Sequence, residues 1–216
     1  MYIIGNLYTD KIESEGSASM IPLREEAEIE LQLADRLNPG PWINHCRNAA
    51  KAAEAIAKHC GLDVEKAYVL GLLHDIGRRN GPSAVKHTID GYRYLLSKNW
   101  VEPAEICLTH SYPTQNINHD IAKMDITLSE HEEMEHFIQN HEFNDYDKLI
   151  ILCDSLAFPD RLCILEQRFV DSTMRYGVFP FTVLRWTATF EIKEYFEAKM
   201  NCSIYDILPG IKESIR

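Results

Sequence analysis

Residues 67 to 77 read AYVLGLLHDIG, an apolar helical stretch that runs directly into an imidazole and a carboxylate. Ala67, Leu70, Leu73 and Ile76 recur at helical spacing and share one face. Asp63 stands at the N-cap position and Glu65 in the first turn, where the helix dipole favours them. Gly77 ends the helix and lets other backbone come close. Burying a carboxylate at such a place costs several kcal/mol unless it is paired or bound to a cation. The stretch must therefore pack among elements that supply a counterpart to His74 and Asp75. Neighbouring helix residues diverge by about 100°, yet at a helix end they can still straddle one ion. For the doublet by itself, a capped helix end with a hydrogen-bonded core histidine is an equal reading.

The same period recurs along the chain. It predicts a helix from Leu23 to Leu37, a break at Asn38-Pro39-Gly40-Pro41, and a helix from Pro41 to Cys60 closed by Gly61. Further helices are predicted from Gly81-Pro82-Ser83 to Lys98 and from Pro103 to His110, with a polar loop over residues 113–129. Residues 130–141, 145–157, 163–175, 181–200 and 203–207 follow as helices. No run alternates as a strand does. At 216 residues the chain suits one all-α domain of nine or ten helices, residues 23–216, preceded by a loosely attached arm, residues 1–22. The aromatic-rich helix holding Phe181, Leu184, Trp186, Phe190, Tyr195 and Phe196 closes the core or forms a homodimer surface. Six scattered cysteines without a C-x-x-C pair read as free thiols in a reducing cytoplasm. No apolar run approaches the roughly 20 residues of a membrane helix, and the start lacks the basic head of a secretory signal.

Two more residues share the chemistry of the doublet. His45 lies in the preceding helix, and Asp154 is a lone acid inside the apolar run Leu149 to Ala157. Three helices thus each present a His or Asp where burial is expected, which is how helical bundles build metal sites. The order His45, then His74-Asp75 within Leu-Leu-His-Asp-Ile-Gly, then Asp154 resembles the HD-domain superfamily of metal-dependent phosphohydrolases. The resemblance spans about half the chain. It implies an all-helical fold and makes His45, His74, Asp75 and Asp154 metal ligands. His87 and His110 match the two extra histidines of the dinuclear HD subfamilies, and Gly91, one turn after His87, is typical of them. Asp75 would then bridge two ions. The competing readings are a surface histidine for His87 and a helix-end histidine for His110.

A histidine and carboxylate set without thiolate suits divalent iron, manganese, cobalt, nickel or zinc, as one ion or two. Cys46, beside His45, has no separate base next to it and reads poorly as a nucleophile. The resemblance implies hydrolysis of a nucleotide or another small phosphorylated metabolite by metal-activated water, with Asp75 and Arg78 as catalytic residues. Arg78 stands where many relatives carry lysine. Arg79, Lys86 and Arg93 are candidates for binding the phosphate, and plain surface charge is their competing role. Trp42, Tyr92, Tyr112 and Phe158 are aromatics near the motif that either stack on a base or pack in the core. Some HD members with the same ligands are diiron oxygenases, and a non-catalytic helical binding module is a third reading. The net charge of −11 disfavours a long nucleic acid or an anionic membrane as partner. That acidity is local. Residues 120–147 carry nine acids against Lys123, a net of −8, whereas residues 76–98 carry five bases against Asp90, a net of +4.

Overall fold

Gly61 and Asp63 separate two helices as the sequence predicts. Gly61 closes the first at φ +69°, a left-handed conformation that glycine adopts without strain. The Asp63 carboxylate then accepts the Lys66 backbone N–H at 3.0 Å and caps the second. The computed structural model describes residues 21–214. Its helices are α1 (Arg24–Leu37), α2 (Trp42–Cys60), α3 (Val64–Leu73), α4 (Lys86–Leu96), α5 (Val101–Thr109) and α6 (Leu128–Asn140). They continue as α7 (Asp145–Ser155), α8 (Leu165–Tyr176), α9 (Thr182–Met200) and the one-turn α10 (Ile204–Ile207) and α11 (Ile211–Ser214). Short 3-10 turns cover Ile76–Asn80 and Ile117–His119. Among the described residues there is no strand, only an isolated bridge between Ala157 and Leu162. The fold is all-α, as the periodicity predicts. No described helix is long and apolar enough to cross a membrane.

The centre of the molecule is α2. Its alanines Ala49, Ala50, Ala52, Ala53 and Ala57 are fully buried. Small side chains let neighbouring helices approach closely, and α3 does so at Gly71. A Cβ there would lie 2.8 Å from the Ala50 Cα, so the two backbones touch. On one side α2 packs with α7, α9 and Phe196. On the other it meets α1 and α3 around Leu31, Leu72 and Ile76. A third cluster joins α4, α5 and α6 through Ile89, Leu108, Tyr112, Met134 and Ile138.

The differences from the sequence reading are local. The chain after the His-Asp doublet winds on as a 3-10 turn, and α4 begins only at Lys86. The backbone N–H groups of Ala84 and Lys86 are taken by the Asp125 carboxylate at 2.7 and 2.8 Å, a partner far along the chain. The loop predicted over residues 113–129 contains the Ile117–His119 turn, pinned by Ile117, which is 1% exposed. In α9, Phe196 closes the core and Trp186 stacks on Phe169 at 5.3 Å, whereas Leu184 is half exposed. The expected loose arm lies outside the described residues, apart from Ile21, which is partly buried, and Pro22, which is buried.

Candidate metal centre

His45 projects from the first turns of α2, and His74 sits at the end of α3, where Gly71 presses that helix onto Ala50. The contact brings the two Nε2 atoms to 3.2 Å. Asp154, near the end of α7, completes a triad with its Oδ1 2.9 Å from His45 Nε2 and 3.9 Å from His74 Nε2. A second triad forms beside it. At Gly77 a Cβ would lie 2.0 Å from the His87 carbonyl oxygen and 2.4 Å from the Gly91 nitrogen. Only two glycines allow the 3-10 turn to rest on α4 this closely, and the result sets His87 Nε2 2.9 Å from Asp75 Oδ1. His110, at the end of α5, places its Nε2 3.6 Å from the same oxygen and 3.4 Å from His87 Nε2. The structure thus brings together all six ligands expected from the sequence. They form two three-residue groups, His45–His74–Asp154 and Asp75–His87–His110, each with ligand atoms within 4.8 Å of one another.

The backbone fixes how the four imidazoles present themselves. Nδ1 faces the Ala157 carbonyl in His45 at 3.0 Å, that of Gly71 in His74 at 2.7 Å and that of Cys107 in His110 at 3.0 Å. In His87 it faces the Ala84 carbonyl. A carbonyl only accepts, so each Nδ1 carries a proton and donates it. In the neutral rings the lone pairs then lie on Nε2 and point inward, as in metal-binding histidines whose other nitrogen is held by a carbonyl. Burial keeps His74 neutral by lowering its pKa. Burial and the neighbouring His74 lower that of His110 to about 3. Burial alone would raise the Asp75 and Asp154 carboxyls. The Arg78 guanidinium beside Asp75 and the Arg168 guanidinium near Asp154 act against this, and both carboxyls stay well below the usual range.

These donors suit a cation. Asp75 Oδ1 is buried and has no hydrogen-bond partner, although His87 Nε2 is its near neighbour. Lone pairs facing a carboxylate, and one another, at about 3 Å repel unless positive charge lies between them. Nitrogen and carboxylate oxygen donors match a divalent transition ion. Cys46 also lies near His74 and Asp75. Burial, reinforced by Asp75, pushes its thiol well above the usual range, so it remains a protonated, poor ligand.

The centre opens into a cavity of about 890 Å³, with His45, Asp75, His87, His110 and Asp154 in its wall. Arg78 stands at the rim with Nε donating to Asp75 Oδ2 at 2.6 Å. The other basic residues expected at the substrate lie elsewhere. Arg79 stacks on Tyr94 at 3.7 Å and faces Glu30 of α1. Lys86 pairs with Asp90 at 2.6 Å, and Arg93 with Glu130 and Glu133 of α6 at 2.8 and 2.7 Å. None of these three lines the cavity. Their charge is drawn away by carboxylates that only the tertiary fold brings near. In their place the cavity is lined by Arg168 and Arg175 of α8 and Arg185 of α9, which sequence reasoning missed. They sit on ordinary amphipathic helices with no local motif to mark them. Of the aromatics, Trp42 and Phe158 line the cavity, Tyr112 is buried in the core, and Tyr92 packs on Phe137.

Neither curated proteins nor solved structures gave a significant match. The family model described as HD domain matches residues 42–157, which contain all six candidate ligands and end just before α8. With more than half of its residues matched, this chain belongs to the HD domain family, which marks the metal-dependent phosphohydrolase superfamily.

Proposed function

We propose that the protein hydrolyses a phosphate ester of a small metabolite or nucleotide at a dinuclear divalent-metal centre held by His45, His74, Asp75, His87, His110 and Asp154. The observation that carries this reading is the meeting of two triads beside one cavity, with the Asp75 carboxylate of the second triad turned toward His74 of the first. Its Oδ1 faces His87 and His110, and its Oδ2 lies 3.9 Å from His74 Nε2. When bound, divalent transition ions lower the pKa of coordinated water and polarise a phosphoryl oxygen. In the net reaction a water oxygen bonds to phosphorus, the ester P–O bond breaks, and the departing alcohol leaves with a proton.

The rest is supplied by the chain. The carbonyl-held Nδ1–H groups keep four rings turned to the centre, so little reorganisation accompanies ligand binding. Arg78 holds Asp75 in place with Nε, while Nη1 reaches the Ser83 carbonyl at 3.3 Å. This fixes a guanidinium at the cavity rim, where it meets a phosphoryl oxygen. Arg168, 3.6 Å from Asp154 Oδ1, offers a second cation on the opposite helix. These arginines suit an anionic phosphoryl substrate, which is the ground for reading a hydrolase ahead of an oxygenase built on the same ligands. The buried, mutually facing lone pairs weigh against a non-catalytic module. The decisive experiment is metal analysis of the purified protein followed by a phosphate-ester panel run with manganese, iron, cobalt, nickel and zinc, with oxygen excluded or supplied. Turnover that needs metal and ignores oxygen is expected. Oxygen-dependent substrate consumption without phosphate release would replace this reading with the oxygenase.

A further inference from the structure

Arg185 is the one cavity-lining arginine without an ion-pair partner among the described residues. Arg78 has Asp75, Arg168 has Asp154 and Arg175 has Asp171. Arg185 instead donates from Nη1 to the His119 carbonyl at 2.7 Å, and it bonds none of the six ligands. Burial pulls its guanidinium below the ordinary pKa, whereas Arg78 is held above it, because Asp75 more than offsets burial there. Asp120 also lines the cavity and is the nearest acid to support the Arg185 charge, but one of its oxygens accepts the Ala122 backbone N–H at 2.8 Å and it lies beyond ion-pair distance of the guanidinium. A partly buried cation that lines a cavity and makes no direct ion pair is open to one, and an arriving anion supplies it.

The cavity also has more room than a single phosphoryl group needs, near the top of the roughly 300–1,000 Å³ range of small-molecule sites. Trp186, the residue after Arg185, lines it together with Trp42 and Phe158 and gives the wall an apolar stretch. From these observations we infer that the substrate carries two anionic groups. One reacts at the metal centre beside Arg78 and Arg168, and the other is bound by Arg185, with an apolar or planar body between them. The inference rests on the hydrolase reading for the role of the first group. The second site is made by α9, outside the residues 42–157 that the family model matches.

The test pairs turnover with binding. Hexane-1,6-diol bisphosphate and hexyl phosphate are compared as substrates of the metal-loaded protein. Hexane-1,6-diyl bisphosphonate and hexyl phosphonate, whose C–P bonds resist hydrolysis, are compared as ligands by calorimetry. The wild type is expected to prefer the two-anion compound about tenfold or more in kcat/KM and in Kd, the scale of one charge-assisted pair. Arg185→Gln should erase most of that preference, with a raised KM for the bisphosphate, and Arg185→Lys should restore part of it. Unchanged metal content and circular dichroism show that Arg185→Gln has kept the fold. An equal preference in wild type and folded Arg185→Gln, or no preference in the wild type, overturns the inference and leaves the hydrolase reading standing. Arg185-dependent bisphosphonate binding without turnover of any ester supports the second anion site and overturns the hydrolase reading.

Discussion

The two candidate ligand triads are built by different means, although they meet beside one cavity. His45, His74 and Asp154 sit on α2, α3 and α7, in the alanine-rich centre where α2 and α3 touch backbone to backbone at Gly71. His87 and His110 sit on α4 and α5, toward one side. There α4 is held by the Gly77–Gly91 contact, by Asp125 and by the Arg93 pairs to α6. The first half is fixed by close packing, which responds little to salt or pH. The second depends partly on exposed ion pairs, which salt screens and acid removes. The protein should therefore bind one ion firmly and a second more loosely.

The largest expected effect comes from His74, whose ring lies 5.2 Å from that of His45 and 4.9 Å from that of His110. His74→Ala should lose both ions and reduce turnover to the background rate while keeping helical content, as metal analysis and circular dichroism would show. Retained turnover would defeat the site assignment. His87→Ala should lose only the second ion, so measured stoichiometry falls from two to one. If both ions leave together, the asymmetry between the triads is wrong.

Gly77→Ala separates position from ligation, since it removes no ligand. Its Cβ would collide with the His87 carbonyl, so α4 must shift. A stability loss of about 1–3 kcal/mol by urea unfolding is expected, the cost of overpacking. The second ion should be weakened and the first spared. Arg78→Ala should lower kcat about 10–100-fold, the usual cost of losing a partner that orients a ligand. Arg78→Lys, which keeps charge but not the fork, should fall between.

The smallest effect is acid-dependent. Glu130 caps α6, and the Thr127 backbone and hydroxyl, followed by Arg93, hold its carboxyl down at about 2 against an ordinary value of 4.5. A carboxyl depressed in the folded state contributes stability that is fully present above pH 4.5 and is lost as pH falls toward 2. Glu130→Gln should remove that part of the acid dependence in urea titrations, and it should weaken the second ion slightly more at low salt than at high. Equal weakening of both ions would show that α6 does not buttress one triad selectively.

The legible parts of the molecule were those with local causes. Asp63 and Gly61 mark helix ends through their own side-chain oxygen and missing Cβ, and the structure places both as expected. Four of the candidate ligands, His45, His74, Asp75 and Asp154, were legible because imidazoles and carboxylates stand out against an apolar helical pattern, whereas His87 and His110 were marked only by the resemblance to the HD-domain superfamily. The start of α4 was not, because the hydrogen bonds that delay it come from Asp125, in a distant loop. The substrate cations were misplaced for a similar reason. Arg79, Lys86 and Arg93 lie close to the doublet along the chain, but proximity in sequence says nothing about which carboxylate the fold brings to each.

By itself the sequence determined the all-helical class and the ligand chemistry, since period and residue type are local properties. The tertiary structure alone decided that Gly71 and Gly77 are the contacts that close the two triads, and that α8 and α9 supply arginines of the cavity. The physical reason is range. A side chain's burial is written in its neighbours along the helix, whereas its charge partner is set by helices that meet only after the chain has packed.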